Sequence, residues 1–221
     1  MQIFTGNPCS DSRRIAKLKQ YGVGVMLSVG PSARGIKSLV DASVPCAIDN
    51  GAFQAWRRGY PFIESLFWKL LVDSYMGGVS VQNTFIVVPD IVAGGEESFH
   101  FSVEWIRHKL QGSPRLAFAV QDGMTPKLFY AWHRKSISHI FVGGTIKWKW
   151  RTAKEWCDFA HEHGLKCHIG RVGTVDDLRR AKRIGADSVD GTYMMRNDDW
   201  SALEEFRTDP VQHELPIELE S

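Results

Sequence analysis

The sequence predicts a single-domain (β/α)8 barrel of the TIM type, and two patterns in it support that fold class. Short, almost continuously apolar runs alternate with helical patterns along most of the chain, which is typical of parallel strands buried on both faces. Acidic and amide side chains follow several of these runs, at the end where the active sites of such barrels collect. An open, doubly wound sheet is the alternative that the same alternation could build.

The predicted strands are the apolar runs, and each is followed by a helix signal. Eight such units fit a compact barrel of 221 residues. The runs centre on residues 2–4, 23–29, 46–49, 85–89, 116–120, 139–142, 166–169 and 188–190.

Capping residues predict where two of the helices begin. Thr152 and Glu155 have the spacing of a capping box, in which each side chain bonds to the backbone of the other residue. Thr174 precedes a segment with acids early and bases late, an order that complements the helix dipole.

Charge divides the chain into a basic body and an acidic end. Residues 1–208 are the predicted barrel, and residues 209–221 are a predicted polar tail with four acids and no Lys or Arg. Without those four negative charges, the net charge of +2 becomes +6 for the barrel. A moderately basic body suits a polyanionic partner without requiring one.

Cysteine usage and hydropathy predict a cytoplasmic protein. The four cysteines are scattered without a C-x-x-C pair, and Cys46 and Cys167 lie in apolar runs, so buried free thiols are expected. No apolar run is long enough to span a bilayer, and the N-terminus lacks the layout of a signal peptide. The remaining cysteines are Cys9 and Cys157.

Side chains able to do chemistry follow five of the predicted strands. Asp49, Asp90, Gln121 and Asp190 would meet at one rim of the barrel, together with the Gly143–Gly144 pair. Each has an ordinary alternative, since Asp and Asn also form turns and glycine pairs are common in them. Two further candidates for this rim end the seventh run, His168 and Arg171.

Five short motifs in register resemble the tRNA-guanine transglycosylase superfamily. Asp-Asn-Gly-Ala-Phe-Gln at 49–54 is similar to that family's Asp-Ser-Gly-Gly-Phe-Gln signature. Val-Gln-Asp-Gly at 120–123 and Val-Gly-Gly at 142–144 resemble its Gln-Gly and Gly-Gly turns. Residues 170–178 resemble Gly-Val-Gly-Thr-Pro-Glu-Asp-Leu, and residues 187–190 align with the motif that ends in the nucleophilic aspartate.

The resemblance implies a base-exchange reaction without a cofactor. Asp190 would attack the anomeric carbon of a guanosine nucleotide, and Asp49 would transfer protons as one base leaves and another enters. One carboxylate nucleophile and one proton-transferring carboxyl group also suit an oxocarbenium-like centre on chemical grounds. The residues implied to hold the base are Phe53, Asp90, Gln121, Gly143 and Gly144.

Two departures from the family narrow the expectation. The tRNA enzymes have a zinc site of three cysteines and a histidine after the nucleophile, whereas no cysteine follows Cys167 here. The chain is also much shorter and resembles the DpdA-type enzymes of phages and bacteria, which exchange guanine in DNA for a 7-deazaguanine. We therefore expect DNA and a 7-deazaguanine base as partners, no metal, and a bacterial or phage-infected cell.

A run of cations and aromatic residues after the sixth strand predicts contact with nucleic acid, because cations neutralise phosphates and aromatic rings stack on bases. The alternative is a helix start whose tryptophans pack on the barrel. The predicted contacts are Lys147, Trp148, Lys149 and Arg151, with Arg57 and Arg58 after the third strand.

Three other functions stay open at this stage. The same base exchange on tRNA is the nearest. A DNA-binding barrel without chemistry would use Asp190 only for structure. An unrelated barrel enzyme would hold a phosphorylated sugar in the glycine-bearing loops after strands seven and eight.

Overall fold

The computed structural model describes residues 1–6, 11–30, 32–80, 82–113, 115–130 and 137–208. Eight parallel strands in this part of the chain form a closed barrel in sequence order. The first strand pairs with the last, with Gln2 beside Ser188 and Thr5 beside Gly191. This closure confirms the predicted (β/α)8 barrel and excludes the open sheet, whose edge strands would not meet.

The observed strands lie within two residues of their predicted positions. They are β1 (Gln2–Thr5), β2 (Gly24–Leu27), β3 (Cys46–Ile48), β4 (Ile86–Val87), β5 (Leu116–Val120), β6 (Ile137–Val142), β7 (Lys166–Ile169) and β8 (Ser188–Gly191). The described helices are α1 (Ser12–Gln20), α2 (Ala33–Asp41), α3 (Ala52–Arg57), α4 (Glu64–Met76), α5 (Glu96–His108), α6 (Lys127–Tyr130), α7 (Ile146–Glu162), α8 (Val175–Arg183), α9 (Tyr193–Asn197) and α10 (Ser201–Thr208).

One predicted helix start is wrong and one is confirmed. The N-cap of α7 is Thr145, whose hydroxyl accepts the N–H of Trp148, so the helix begins before the predicted capping box. Thr152 lies inside α7 and donates its hydroxyl to the Trp148 carbonyl at 2.9 Å. Thr174 caps α8 as predicted, because its hydroxyl accepts the N–H of Asp177 at 3.1 Å.

The interior of the barrel is filled by alternate side chains of the strands. Two buried histidines lie among its rings, with centroids 4.5 Å apart for Phe85 and His139 and 4.7 Å apart for Phe141 and His168. Burial lowers the pKa of His139 to about 3, so this side chain is neutral. The apolar interior residues are Phe4, Met26, Ala47, Phe85, Val87, Ala117 and Ala119.

The thiols agree with the prediction where the structure describes them. Cys46, Cys157 and Cys167 are buried and free. Cys9 and the predicted acidic tail at 209–221 lie outside the described residues. Among the described helices, none has the length and apolar character needed to cross a membrane.

Candidate active site

A cavity of about 210 Å³ is formed by the turns at the carboxyl ends of the strands. All seven predicted catalytic and base-binding residues lie in its wall, because parallel strands of a barrel end at one rim. The structure brings them together, and their roles stay predictions. They are Asp49, Phe53, Asp90, Gln121, Gly143, Gly144 and Asp190.

Asp49 directly follows β3 and is held by the turn after it. Its backbone N–H donates to the Leu27 carbonyl at 2.7 Å, and its Oδ1 accepts the N–H of Asn50 at 2.9 Å. Burial raises the pKa of Asp49 to about 7, and the negative charges of Asp190 and Asp90 contribute to the rise. Asp49 can therefore both give and take a proton near neutral pH.

Asp90 is bound by an amide that the sequence analysis did not single out. Asn50 is buried and donates its Nδ2 to Asp90 Oδ1 and to the Val88 carbonyl, both at 2.8 Å. Burial raises the pKa of Asp90 to about 6, and the hydrogen bond from Asn50 opposes that rise. The signal was the position of Asn50 beside Asp49, inside the quoted motif.

Gln121 follows β5 and has its amide nitrogen fully engaged. Its Nε2 donates to the Ile91 carbonyl at 2.9 Å and to Ser98 Oγ at 2.8 Å, and it lies 3.4 Å from Asp90 Oδ2. The side-chain Oε1 of Gln121 accepts no hydrogen bond from the described residues, whereas its backbone carbonyl accepts the N–H of Met124 at 3.0 Å. The group that Gln121 can offer to a ligand is therefore an acceptor.

Asp190 is oriented by groups on β7 and on the turn after it. Its Oδ1 is 3.0 Å from His168 Nε2 and accepts the backbone N–H of Arg171 at 3.4 Å. His168 is fully buried and its Nδ1 lies 2.8 Å from Ser188 Oγ. No described residue donates to Asp190 Oδ2, and 18% of the side chain is exposed. This free oxygen is available to an electrophile in the cavity.

Arg171 is the only Lys or Arg among the described residues that line the cavity. Its guanidinium donates to the Gly144 carbonyl and lies 4.8 Å from the centre of the Phe53 ring. Its backbone has a φ of 57°, in the left-handed region that residues other than glycine rarely adopt. Arg171 thus links the turn after β7 to two predicted base-binding residues.

The Gly143–Gly144 turn requires glycine at its second position. Gly144 has a φ of 70°, and a Cβ there would lie 2.6 Å from both Asp122 Oδ2 and the Trp148 ring. Asp122 fixes the turn by accepting the N–H and the hydroxyl of Thr145 at 2.6 and 2.7 Å. Gly143 donates its N–H to the Val120 carbonyl. Since neither glycine has a side chain, the cavity wall at this turn consists of backbone atoms.

Two of the six predicted nucleic-acid contacts are wrong. Trp148 and Lys149 face inward on α7, with exposed fractions of 6% and 0%. Lys149 donates to the Gly170 and Arg171 carbonyls, at 2.8 and 3.1 Å, so it is not available to a phosphate. An α-helix has 3.6 residues per turn, so cations and aromatic residues that alternate along the sequence do not stay on one face of the helix. The pattern therefore did not show which of these side chains face solvent. The four remaining side chains are exposed: Arg57, Arg58, Lys147 and Arg151.

The described residues contain no group of three or more His, Cys, Asp or Glu side chains that could hold a metal ion.

The aromatic side of the cavity includes Trp56, which is 52% exposed and stacks on Phe53 with ring centres 5.9 Å apart. Trp56 was not predicted, although it precedes the predicted contacts Arg57 and Arg58.

Comparisons with known proteins identify the fold and nothing finer. No protein-family model matches the chain, and no curated protein is significantly similar to it. A glycerophosphodiester phosphodiesterase from Parabacteroides distasonis is 7% identical, with a TM-score of 0.54 over 92% of this chain and 97% of the other. A putative dihydrodipicolinate synthase family protein from Coccidioides immitis is 12% identical, with a TM-score of 0.58 over 93% and 75%. At these identities the likeness supports the barrel fold alone.

Proposed function

We propose that the protein is an enzyme that exchanges guanine in DNA for a 7-deazaguanine base, through a covalent bond between Asp190 and the deoxyribose. One observation carries the proposal. An aspartate with one oxygen held and one free shares a cavity with a carboxyl group whose pKa is about 7. A nucleophile and a proton-transferring group are what cleavage of a glycosidic bond by this route requires.

The reaction proceeds in two displacements at the anomeric carbon. Asp190 Oδ2 bonds to this carbon as the bond to guanine N9 breaks, and protonated Asp49 gives its proton to the departing base. Asp49 then takes the N9 proton of the incoming base, whose nitrogen attacks the same carbon and releases Asp190. Asp49 returns to its protonated state, so the cycle balances without a cofactor.

The cavity suits a planar base with a donor edge. Guanine and its 7-deaza analogues present N–H groups on one edge, and the acceptors available to that edge are the Asp90 carboxylate and the side-chain Oε1 of Gln121. Phe53 adds an aromatic face. A volume of about 210 Å³ also suits one base, since sites for drug-sized ligands span about 300–1,000 Å³.

A phosphorylated sugar fits the cavity less well than a base. Four carboxyl groups line it against one guanidinium. The loop after β7 turns two carbonyls toward Lys149, and its Val172 N–H donates to the Asp190 carbonyl at 2.6 Å. A phosphate cup needs free backbone N–H groups, which this loop does not offer at those positions.

The exposed cations beside the cavity supply contacts to the phosphate backbone. Arg57 ends α3 and Arg58 follows it, while Lys147 and Arg151 lie on the outer face of α7. Trp56 extends the aromatic side of the cavity to the surface, where a base neighbouring the reacting nucleotide can stack on it. In duplex DNA the target guanine must leave the stack to reach Asp190.

Exchange of a labelled base into polymer tests this function. Labelled guanine and labelled 7-deazaguanines are offered to the protein with duplex DNA, single-stranded DNA and tRNA, with Asp190→Ala as the control variant. We expect incorporation into DNA that falls at least about a thousandfold in Asp190→Ala, while DNA binding persists.

The other outcomes separate the alternatives. Incorporation into tRNA alone would retain the chemistry and overturn the substrate. DNA binding without exchange, unaffected by Asp190→Ala, would make the protein a binding module. Retained exchange in Asp190→Ala would remove Asp190 as the nucleophile.

A further inference from the structure

Lys149 is a buried cation that the proposed reaction does not use. It lies in α7, its side chain is fully buried, and its ammonium forms no ion pair with a described carboxylate. Burying a charge in this way carries a desolvation cost that only strong hydrogen bonds offset. Its two bonds go to neighbouring carbonyls, those of Gly170 and Arg171, at 2.8 and 3.1 Å.

These carbonyls belong to the β7 turn, which we define as residues 170–172. Arg171 lies at its centre with a φ of 57°, a conformation that persists only where surrounding contacts impose it. Lys149 stabilises this conformation from the side of α7, because its ammonium donates to the carbonyl before Arg171 and to the carbonyl of Arg171 itself. The β7 turn is therefore anchored to α7 by a single side chain among the described residues.

The opposite side of the β7 turn contacts the reacting groups. The N–H of Arg171 donates to Asp190 Oδ1 at 3.4 Å, and the N–H of Val172 donates to the Asp190 carbonyl at 2.6 Å. The guanidinium of Arg171 donates to Gly144 and lies on Phe53. A shift of this turn would move the nucleophile and two sides of the base cavity together.

We propose that Lys149 is a positioning residue, which holds the β7 turn so that Asp190 Oδ2 faces the anomeric carbon. This role rests on the proposed function and deepens it. A nucleophile displaced by about 1 Å can lose about a hundredfold in rate. A purely structural anchor would change the stability of the barrel and leave the rate of the folded enzyme unchanged.

Three variants of α7 test this role. Lys149→Met keeps the volume and removes the donors, Lys149→Arg keeps donors, and Lys154→Met is the control on the same helix. Lys154 is exposed, and within the described ranges of the chain its ammonium bonds to Asp158 alone, at 2.7 Å. For each variant we would measure kcat for base exchange, Kd for DNA, and hydrogen exchange of the Arg171 and Val172 amides.

We expect Lys149→Met to lower kcat at least tenfold and to speed exchange of the two amides at least tenfold, with Kd for DNA within twofold. Lys149→Arg should recover part of kcat, and Lys154→Met should match the natural protein. Unchanged amide exchange, or faster amide exchange with kcat within twofold, would overturn the role.

Two additions keep the test decisive. If Lys149→Met does not fold, Lys149→Gln removes the charge and shortens the side chain by one bond, so the two bonds from Nζ to the Gly170 and Arg171 carbonyls are lost and the same losses are expected from it. If the natural protein exchanges no base, the proposed function fails, while the amide measurements still decide whether Lys149 holds the turn. Combining Lys149→Met with Arg171→Ala should cost less in kcat than the product of the single losses, because both act through one turn.

Discussion

At the scale of single residues, two carboxyl groups of the cavity titrate in different ranges for different reasons. Burial raises the pKa of Asp49 to about 7, with the charges of Asp190 and Asp90 adding to it. Burial also raises the pKa of Asp90, but the bond from Asn50 limits the rise to about 6. Between these values Asp90 is largely an ionised acceptor while Asp49 holds a proton. That combination suits binding a donor edge and protonating a departing base.

Replacing Asp49 by Asn should make stability less sensitive to pH. The folded pKa of about 7 lies above the ordinary 3.8, so the contribution of Asp49 is fully present below pH 3.8 and is lost as pH rises through 7. The free energy of unfolding of Asp49→Asn should therefore rise relative to that of the natural protein across this pH range. The difference reaches about 4 kcal/mol at pH 8, at about 1.4 kcal/mol per pKa unit.

Urea unfolding from pH 4 to pH 8 measures this difference. The variant keeps an oxygen to accept the Asn50 N–H, so local packing is retained. A constant difference between variant and natural protein would show that Asp49 does not titrate abnormally. Base exchange by Asp49→Asn should be lost at every pH, because the amide cannot transfer the proton.

Replacing Asp90 by Asn should weaken the choice of base. The carboxylate offers only acceptors to the guanine edge, whereas an amide offers both a donor and an acceptor. We expect the preference for guanine over hypoxanthine, which lacks the exocyclic amino group, to fall about tenfold or more. Competition between the two bases in exchange measures it, with exposed Asp41→Asn as the control. An unchanged preference would remove Asp90 from base recognition.

At the scale of the elements, the sequence predicted a residue's place in the fold wherever that place depends only on where a strand ends. Apolar runs located all eight strands, and the end of each run placed Asp49, Asp90, Gln121 and Asp190 at one rim. The orientation of Lys149 was not predictable in this way. It depends on where α7 begins. Thr145 caps the helix at its true start, and the sequence offered Thr152 with Glu155 as an equally good capping pattern seven residues later.

The turn between β6 and α7 should be intolerant of a side chain at Gly144. A Cβ there would approach Asp122 and Trp148 to 2.6 Å, on a backbone with a φ of 70°. Gly112 is a matched control, because its φ is 77° and its Cβ would meet nothing within 4 Å. We expect Gly112→Ala to cost about 1 kcal/mol, and Gly144→Ala about 2–4 kcal/mol with lost base exchange.

Thermal and urea unfolding of the two glycine variants measure these costs. Equal destabilisation would mean that the turn moves aside for the new methyl group, so that the approach to Asp122 and Trp148 does not restrict Gly144. In that case the base wall at Gly144 would be adaptable, and exchange should survive in Gly144→Ala.

At the scale of the whole molecule, charge is separated between the cavity and the surface beside it. Residues 1–208 carry a net +6, because the four acids after Thr208 account for the fall to +2. The cavity itself contains three aspartates that are predicted to act in catalysis or base binding. In the proposed reaction, the surface cations would attract DNA, and the acceptors inside the cavity would select the base.

Removing the exposed cations together should flatten the salt dependence of DNA binding. Arg57, Arg58, Lys147 and Arg151 are replaced by Gln, and Kd for DNA is measured from 50 to 300 mM salt. Each lost phosphate contact should lower the slope of log Kd against log salt by about 0.9, so a loss of two to four contacts changes it by about 2–4. Lys37, Lys69 and Lys154, each exposed and paired to an aspartate four residues on, form the control set. An unaltered slope in the first set, or an equal change in the control set, would place the DNA elsewhere on the barrel.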